Sequence, residues 1–303
     1  ALLIPKIENL LYWFDLTCSL SLEALGGNIT PLDNVVVKSK KHSGQVLSSQ
    51  NFISALKGSY LLSKKTKTVQ DPLSFRNATL IHGAAYDSLT YVQEQLTLEL
   101  ESSDDNPMVD IANQRILSTP HFETINISLA IEMLNVALSH VSNASVQRMI
   151  KLGNPDFTGL SRFLIADEHQ YFGLQALQKT AATLDVEIHH SSQTLSNISY
   201  PLAGEMEDRQ TNLPLILQNL DGIVTKLQEI LAIELLYASQ AIALRFPVNK
   251  PLGELTGKVF QIIFDHNGTL QDHHKLYEVI GRISKDIDRL CIRTLFAKQE
   301  LSA

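Results

Sequence analysis

The fold is decided by residues 123–151, which read ETINISLAIEMLNVALSHVSNASVQRMIK. This stretch contains no Gly or Pro, and its apolar residues, such as Ile127, Ile131 and Leu134, recur at spacings of three and four. That spacing is typical of one face of an α-helix. At about 1.5 Å per residue the stretch predicts a helix roughly 40 Å long. Gly153-Asn154-Pro155 should end it, because Gly favours the turn after a helix and Pro cannot continue one.

The same helical period recurs on both sides of this stretch. It predicts further helices over residues 7–22, 46–62, 86–100, 171–191, 215–244 and 276–296. A basic, polar loop is expected around Lys38 to Gly44, and Lys64, Lys65 and Lys67 mark a second loop. Weak alternation over Met108–Leu117 predicts one short β-hairpin. Long antiparallel helices with short connections favour an all-α, elongated helical bundle. No repeat or flexible linker divides the chain, so we expect a single helical domain over residues 1–303.

The charge balance argues against two classes of partner. The 303 residues carry 25 Lys and Arg against 32 Asp and Glu, a formal charge of −7. Nucleic acid and anionic membranes attract proteins with an excess of basic residues, so neither is an expected partner. The glycosylation sequons at Asn126 and Asn143 fall inside the long helix, where a glycan would disrupt packing. We therefore expect a cytoplasmic protein.

Two pairs of histidines, His189-His190 and His273-His274, are the obvious candidates for metal ligands. Adjacent side chains on a helix diverge by about 100°, whereas ligands on one helical face need spacings of three or four. The sequence therefore predicts no metal site.

The segment Val69-Gln-Asp-Pro-Leu-Ser-Phe-Arg76 is the first stretch that indicates chemistry. Its proline favours an extended backbone before a helix, and it places an amide, Gln70, close to a guanidinium, Arg76. An arginine in such a segment can bind a carboxylate through two parallel hydrogen bonds. The alternative is that Arg76 caps a helix.

This segment resembles the pattern Val-Gln-Asp-x-Tyr-Ser-Leu-Arg of the aromatic amino-acid ammonia-lyases and related aminomutases. Four further blocks resemble that family in the same order along the chain. They are His42-Ser-Gly-Gln45, Glu99-Leu-Glu-Ser-Ser-Asp-Asp-Asn-Pro-Met-Val-Asp110, Thr158-Gly-Leu-Ser-Arg-Phe-Leu164 and Tyr200-Pro-Leu-Ala-Gly-Glu-Met-Glu-Asp208. The long helix after Phe122 lies between the second and third blocks. The spacing implies that Ala1 lies inside the family's full chain, so the sequence resembles its C-terminal portion.

The resemblance implies an activity, an assembly and a set of site residues. The family eliminates ammonia from an aromatic amino acid such as histidine or phenylalanine, and its homotetramers build each active site from several subunits. By this resemblance Arg76 binds the substrate carboxylate and Gln70 supports it. Phe122 matches the residue that packs against the substrate ring, although it could equally be a core side chain.

Glu207 occupies the position that carries Glu in histidine ammonia-lyases and Gln in phenylalanine ammonia-lyases, which favours histidine. A buried Glu207 would bind an imidazole or transfer a proton. Its alternative role is an ion pair in the bundle core, with Arg209 as the partner.

The sequence also departs from the family pattern. The family's electrophile, a methylidene-imidazolone, forms from Ala-Ser-Gly, which does not occur here. Leu73 replaces the family's tyrosine, and Thr119-Pro120-His121 replaces Gly-Gly-Asn. We therefore expect this chain to be inactive alone. The departures leave open a second hypothesis, a catalytically dead homologue that serves as an oligomerisation or ligand-binding scaffold.

Overall fold

A computed structural model describes residues 1–63, 69–166, 172–245, 251–270 and 275–300, without the side chains of residues 266, 267 and 297–300. In these ranges the chain is an elongated bundle of α-helices with one two-stranded antiparallel sheet, which confirms the predicted fold class. The helix predicted over residues 123–151 extends from Ile125 to Leu152 and ends at Gly153. Asn154 then caps a short helix that begins at Pro155, because its side-chain oxygen accepts a hydrogen bond from the N–H of Asp156.

The described elements follow one another along the chain. The helices are α1 (Leu3–Leu25), α2 (Asn34–Lys40), α3 (Ser43–Ala55), α4 (Leu73–Arg76), α5 (Ala78–Glu101), α6 (Ile125–Leu152), α7 (Pro155–Thr158), α8 (Gln175–Ser191), α9 (Leu213–Arg245), α10 (Glu254–Asn267), α11 (Leu276–Arg289) and α12 (Arg293–Glu300). The predicted hairpin is present as β1 (Met108–Asp110) and β2 (Arg115–Leu117), with Val109 opposite Ile116.

Two consecutive glycines, Gly26 and Gly27, end α1. Gly26 has a φ of 71°, and the N–H groups of Gly26 and Gly27 donate to the carbonyls of Glu23 and Leu22. These two hydrogen bonds satisfy carbonyls that the helix itself leaves without partners. The backbone therefore leaves α1 in a fixed direction, and Asn28 follows at once in the loop.

Several predicted element boundaries are wrong. The helix expected over 86–100 begins eight residues earlier, at Ala78, and two other differences have an identifiable cause. The expected loop at Lys38 to Gly44 is helical as far as Lys40, because Asp33 caps α2 by accepting a hydrogen bond from the N–H of Val35. The helix expected over 276–296 is broken at Leu290 into α11 and α12. The side chains of Asn9 and Trp13 on α1 both donate to the carbonyl of Leu290 and thereby stabilise the break.

Two other expectations reach beyond the described residues. The helix predicted over 171–191 begins at Gln175 among the described residues, and its expected start at Tyr171 lies outside them, as does the loop with Lys64, Lys65 and Lys67.

The helix predicted over 46–62 corresponds to α3, which ends at Ala55, and a 3-10 turn follows after Gly58 at Tyr60–Leu62.

The core is built around α9, which packs against α1, α6, α8 and α11. Every residue from Ile230 to Ile242 is buried, so this part of α9 has no solvent-facing side. By length and composition α6 and α9 could each cross a membrane, yet 67% and 78% of their apolar windows are buried in the fold. Such burial is typical of the core helices of a bundle.

Candidate functional site

The segment that carries Gln70 and Arg76 is fixed to the loop after α1. The N–H of Asn28 donates to Asp71 at 2.6 Å, and the Asn28 side chain donates to the carbonyl of Val69 at 3.2 Å. Both hydrogen bonds hold the extended backbone immediately before α4. The structure therefore places Gln70 on a well-anchored segment, with its side chain exposed.

Arg76 closes the single helical turn of α4. Phe75 points into the core with 5% of its surface exposed, while Arg76 is half-buried. Among the described residues, the Arg76 side chain forms no hydrogen bond or ion pair, so it does not cap a helix there. The guanidinium is therefore available to a ligand, as the carboxylate-binding role requires.

Phe122 and the segment that follows Glu207 lie at the opposite end of α6. Phe122 lies three residues before the start of α6 and is 63% exposed, so it is not the core side chain that the alternative interpretation required. Two hydrogen bonds of Thr119 stabilise the turn before Phe122. The N–H of Thr119 donates to the side-chain oxygen of Asn106, and its hydroxyl donates to the carbonyl of Asp105. The hydroxyls of Thr124 and Thr211 hydrogen-bond at 2.8 Å and bring the segment after Glu207 to the start of α6.

Glu207 lies in a tight turn, and its environment differs from the prediction. Its backbone forms an antiparallel bridge with Leu202, closed by Ala203, Gly204 and Glu205, which all have positive φ. The Glu207 side chain is exposed in the single chain, so the expectation that it is buried within one chain is wrong. The alternative ion pair is also wrong, because Arg209 lies 3.7 Å from Glu123 instead.

One chain does not bring the four predicted site residues together. The Arg76 turn contacts α6 at Arg148, and Thr211, four residues after Glu207, contacts it at Thr124. These two positions are about 36 Å apart along the helix axis at about 1.5 Å per residue. Gln70 and Arg76 therefore form one half of a candidate site, and Phe122 and Glu207 form another.

A buried ion pair that the sequence analysis did not identify lies beneath the Arg76 turn. Arg148 and Glu234 are fully buried, and Arg148 contacts both Glu234 oxygens, at 2.6 and 2.8 Å. The nearby Cys18 thiol stays neutral, since burial raises its pKa to about 12. A signal was available, because Glu234 interrupts the most apolar stretch of the chain and a buried charge must be paired.

The described residues contain no cluster of three or more His, Cys, Asp or Glu side chains that could hold a metal ion. His189 is about half exposed, and its ring contacts the carbonyl of Asp185. The pair His273-His274 lies outside the residues that the structure describes.

Comparison with known proteins places this geometry in a family. The model of the family described as "aromatic amino acid lyase" matches residues 1–265. The chain belongs to the aromatic amino acid lyase family. It is 32% identical over 281 residues to a histidine ammonia-lyase from Treponema denticola, covering 92% of this chain and 55% of that protein. A histidine ammonia-lyase from Caldanaerobacter subterraneus is 30% identical, with coverages of 87% and 52%. The chain thus spans about half the length of these curated relatives.

Solved structures support the same fold. An ergothioneine-degrading enzyme, ergothionase from Treponema denticola, superposes with a TM-score of 0.90 at 34% identity, covering 95% of this chain and 58% of that one. Histidine ammonia-lyase from Trypanosoma cruzi superposes with a TM-score of 0.86 over 97% of this chain and 56% of that one. Its 23% identity supports the helical fold alone.

Proposed function

We propose that this chain is part of an enzyme that eliminates ammonia from an aromatic amino acid, with histidine as the preferred substrate. The observation that carries the proposal is the half-buried Arg76, which has no partner among the described residues and lies on a turn anchored by Asp71 and Arg148. A planar guanidinium held in this way suits a substrate carboxylate, which it can bind through two parallel hydrogen bonds.

The other site residues divide the remaining tasks. Gln70 supports the carboxylate end of the substrate, and Phe122 packs against the ring. Glu207 accepts a hydrogen bond from the imidazole or takes part in proton transfer. Because the two pairs lie at opposite ends of α6, a complete site needs more than one chain. We therefore propose a homotetramer in which the exposed Phe122 and Glu207 of one chain face the Arg76 of another.

The electrophile that the family is known for would activate the amine for departure. The sequence of this chain has no Ala-Ser-Gly from which that group could form. The residues of this chain do not supply the precursor, and no step of the proposal runs through it.

The proposal is tested on the full-length protein. It is incubated separately with histidine, phenylalanine and tyrosine, and the conjugated acrylate product is followed by its ultraviolet absorbance. Turnover, fastest with histidine, is the expected result. No turnover of any of the three would contradict the proposal. The 303-residue chain, assayed in parallel, should be inactive.

The preference for histidine depends on Glu207. Replacing Glu207 by Gln should shift the ratio of kcat/KM values from histidine towards phenylalanine, because a neutral amide no longer favours a polar, protonatable ring. The exposed Glu205, which lies in the same turn, is the matched control as Glu205→Gln. An unchanged ratio in Glu207→Gln would remove the reason to prefer histidine.

A second candidate substrate is ergothioneine. The 34% identity and TM-score of 0.90 to the ergothioneine-degrading enzyme support it. Ergothioneine carries a trimethylated nitrogen with no lone pair, so its departure needs no activation of the amine by an electrophile. Adding ergothioneine to the same set of assays distinguishes the two substrates, since the products differ by a sulfur atom on the ring.

The departures from the family pattern favour one non-enzymatic candidate. Leu73 stands at the position of the family's tyrosine and is 56% exposed, without a hydroxyl to donate a hydrogen bond or carry a proton. A catalytically dead scaffold would bind an aromatic amino acid without converting it. Location in the cytoplasm and the lack of nucleic-acid and membrane partners stay predictions.

A further inference from the structure

Glu234 on α9 is the centre of a fully buried polar cluster that joins three long helices. Ser21 of α1 donates to one of its oxygens at 2.8 Å, and Ser145 of α6 donates to the other at 2.5 Å. Arg148 of α6 contacts both oxygens, so the carboxylate is paired and hydrogen-bonded on all sides. Because Cys18 beside it stays neutral, Arg148 and Glu234 balance each other's charge.

The third nitrogen of the Arg148 guanidinium, Nη1, contacts the α4 turn that carries Arg76. It donates to the carbonyl of Ser74 at 3.2 Å. Ser74 lies in the only turn of α4, where backbone carbonyls lack partners within the helix. The hydrogen bond therefore fixes the backbone two residues before Arg76, while Asn28 fixes the same segment at Asp71.

Stability alone is a weak reason for such a pair. Desolvating two charges offsets much of their attraction, and apolar residues of similar volume often leave a protein equally or more stable. A well-packed apolar pair would hold α6 against α9, but it would leave the Ser74 carbonyl without its donor. Arg148 can bind the Glu234 carboxylate and the Ser74 carbonyl at the same time, because its planar guanidinium offers donors in three directions.

We infer that Arg148 and Glu234 are positioning residues that hold the α4 turn in the orientation in which Arg76 binds a carboxylate. Glu234 fixes the guanidinium of Arg148, Arg148 fixes the carbonyl of Ser74, and the turn then aims the side chain of Arg76. This inference rests on the proposed role of Arg76 in substrate binding.

The first test uses Arg148→Lys in the full-length protein. Lysine can still pair with Glu234, but it is a point charge without the fork that reaches Ser74. We expect KM for the amino acid to rise about tenfold, equivalent to the loss of about 1.4 kcal/mol, with kcat close to that of the wild type. The inhibition constant of the matching amine without a carboxylate, histamine or phenethylamine, should not change.

The second test needs no substrate, so it decides whether Arg148 holds the α4 turn even if the proposed function fails. Hydrogen exchange is measured at the amides of Phe75, Arg76 and Asn77, which bond to the carbonyls of Pro72 and Leu73. Exchange there should be about tenfold faster in Arg148→Lys, equivalent to about 1.4 kcal/mol, because the hydrogen bond to the Ser74 carbonyl is lost, while exchange in α6 stays at the wild-type rate.

Asp185→Asn is the control for general weakening of α6. Asp185 lies on α8, is buried, and accepts hydrogen bonds from Ser142 and Asn143 of α6. None of these hydrogen bonds involves α4. It should leave the exchange of residues 75–77 unchanged. If Arg148→Lys does not fold, the pair of substitutions Arg148→Met and Glu234→Leu gives an apolar replacement with the same expected exchange. Wild-type exchange at 75–77 in the folded variant, or equal weakening of amino acid and amine, would overturn the inference.

Discussion

At the scale of single residues, Arg76 has the largest expected effect on ligand binding. Replacing Arg76 by Ala should weaken binding of the amino acid by at least about a hundredfold, since two hydrogen bonds to a carboxylate, each worth about 1.5–3 kcal/mol, are lost. Calorimetry on the full-length protein measures the affinity. Arg289→Ala, which removes an exposed arginine at the end of α11, is the control. Unchanged affinity in Arg76→Ala would mean that Arg76 does not contact the carboxylate.

Glu23 should make stability depend on pH. Burial raises the pKa of its carboxyl above the ordinary 4.5, against hydrogen bonds from Ser59, Thr256 and Gly253 that lower it. The folded state therefore holds a proton that the unfolded state releases. Its contribution to stability is fully present below the unfolded-state pKa and is lost as pH rises through the folded-state pKa.

Glu23→Gln should remove that loss, because an amide oxygen still accepts from Ser59 and from the N–H of Gly253 without titrating. Urea unfolding of the chain from pH 4 to pH 8 measures this as a flatter stability curve for the variant. Glu94→Gln, an exposed position on α5, is the control. Parallel curves for wild type and Glu23→Gln would show that Glu23 carries no linked proton.

At the scale of elements, α3 and α5 pack at a distance that only glycine permits. A Cβ added to Gly83 would lie 2.5 Å from the backbone nitrogen of Gln45, and one added to Gly44 would lie 2.0 Å from the carbonyl oxygen of Gly83. Gly83→Ala should therefore destabilise the chain by about 1–3 kcal/mol, although alanine favours helices.

Gly281→Ala is the matched control, because Gly281 lies inside α11 with no atom within 4 Å of its added Cβ. It should stabilise the chain by up to about 1 kcal/mol. Urea unfolding measures both variants. A similar gain in both would show that α3 and α5 can separate without loss.

The elements also show what the sequence could predict. The helical period predicted α6 to within two residues at each end and α1 to within four. The break at Leu290 was not predictable from period alone, because its cause is Asn9 and Trp13, which are distant in sequence. The same is true of Arg148 and Ser74, since a tertiary hydrogen bond between residues 74 positions apart leaves no local pattern.

At the scale of the whole molecule, the candidate site is divided between the two ends of α6. Local motifs pick out Gln70, Arg76, Phe122 and Glu207 as candidate site residues, which stay predictions, and they carry no information on the distances between them. The separation of about 36 Å between Thr124 and Arg148 follows only from the helix rise. In the proposed tetramer, a site takes Arg76 from one chain and Glu207 from another, and neither chain alone can supply both.

This division predicts complementation between two inactive variants. Arg76→Ala and Glu207→Ala full-length chains, each inactive as pure oligomers, are co-expressed with different tags and isolated as mixed oligomers. If the two residues of a site come from different chains, a site with both wild-type side chains forms in about a quarter of cases at equal mixing, because each side chain is intact with a chance of one half. Activity should therefore return to about a quarter of wild type. A chain that carries both substitutions, mixed with either single variant, is the control, since no intact site can form. No recovery in the first mixture would mean that each site takes Arg76 and Glu207 from the same chain, which the length of α6 argues against.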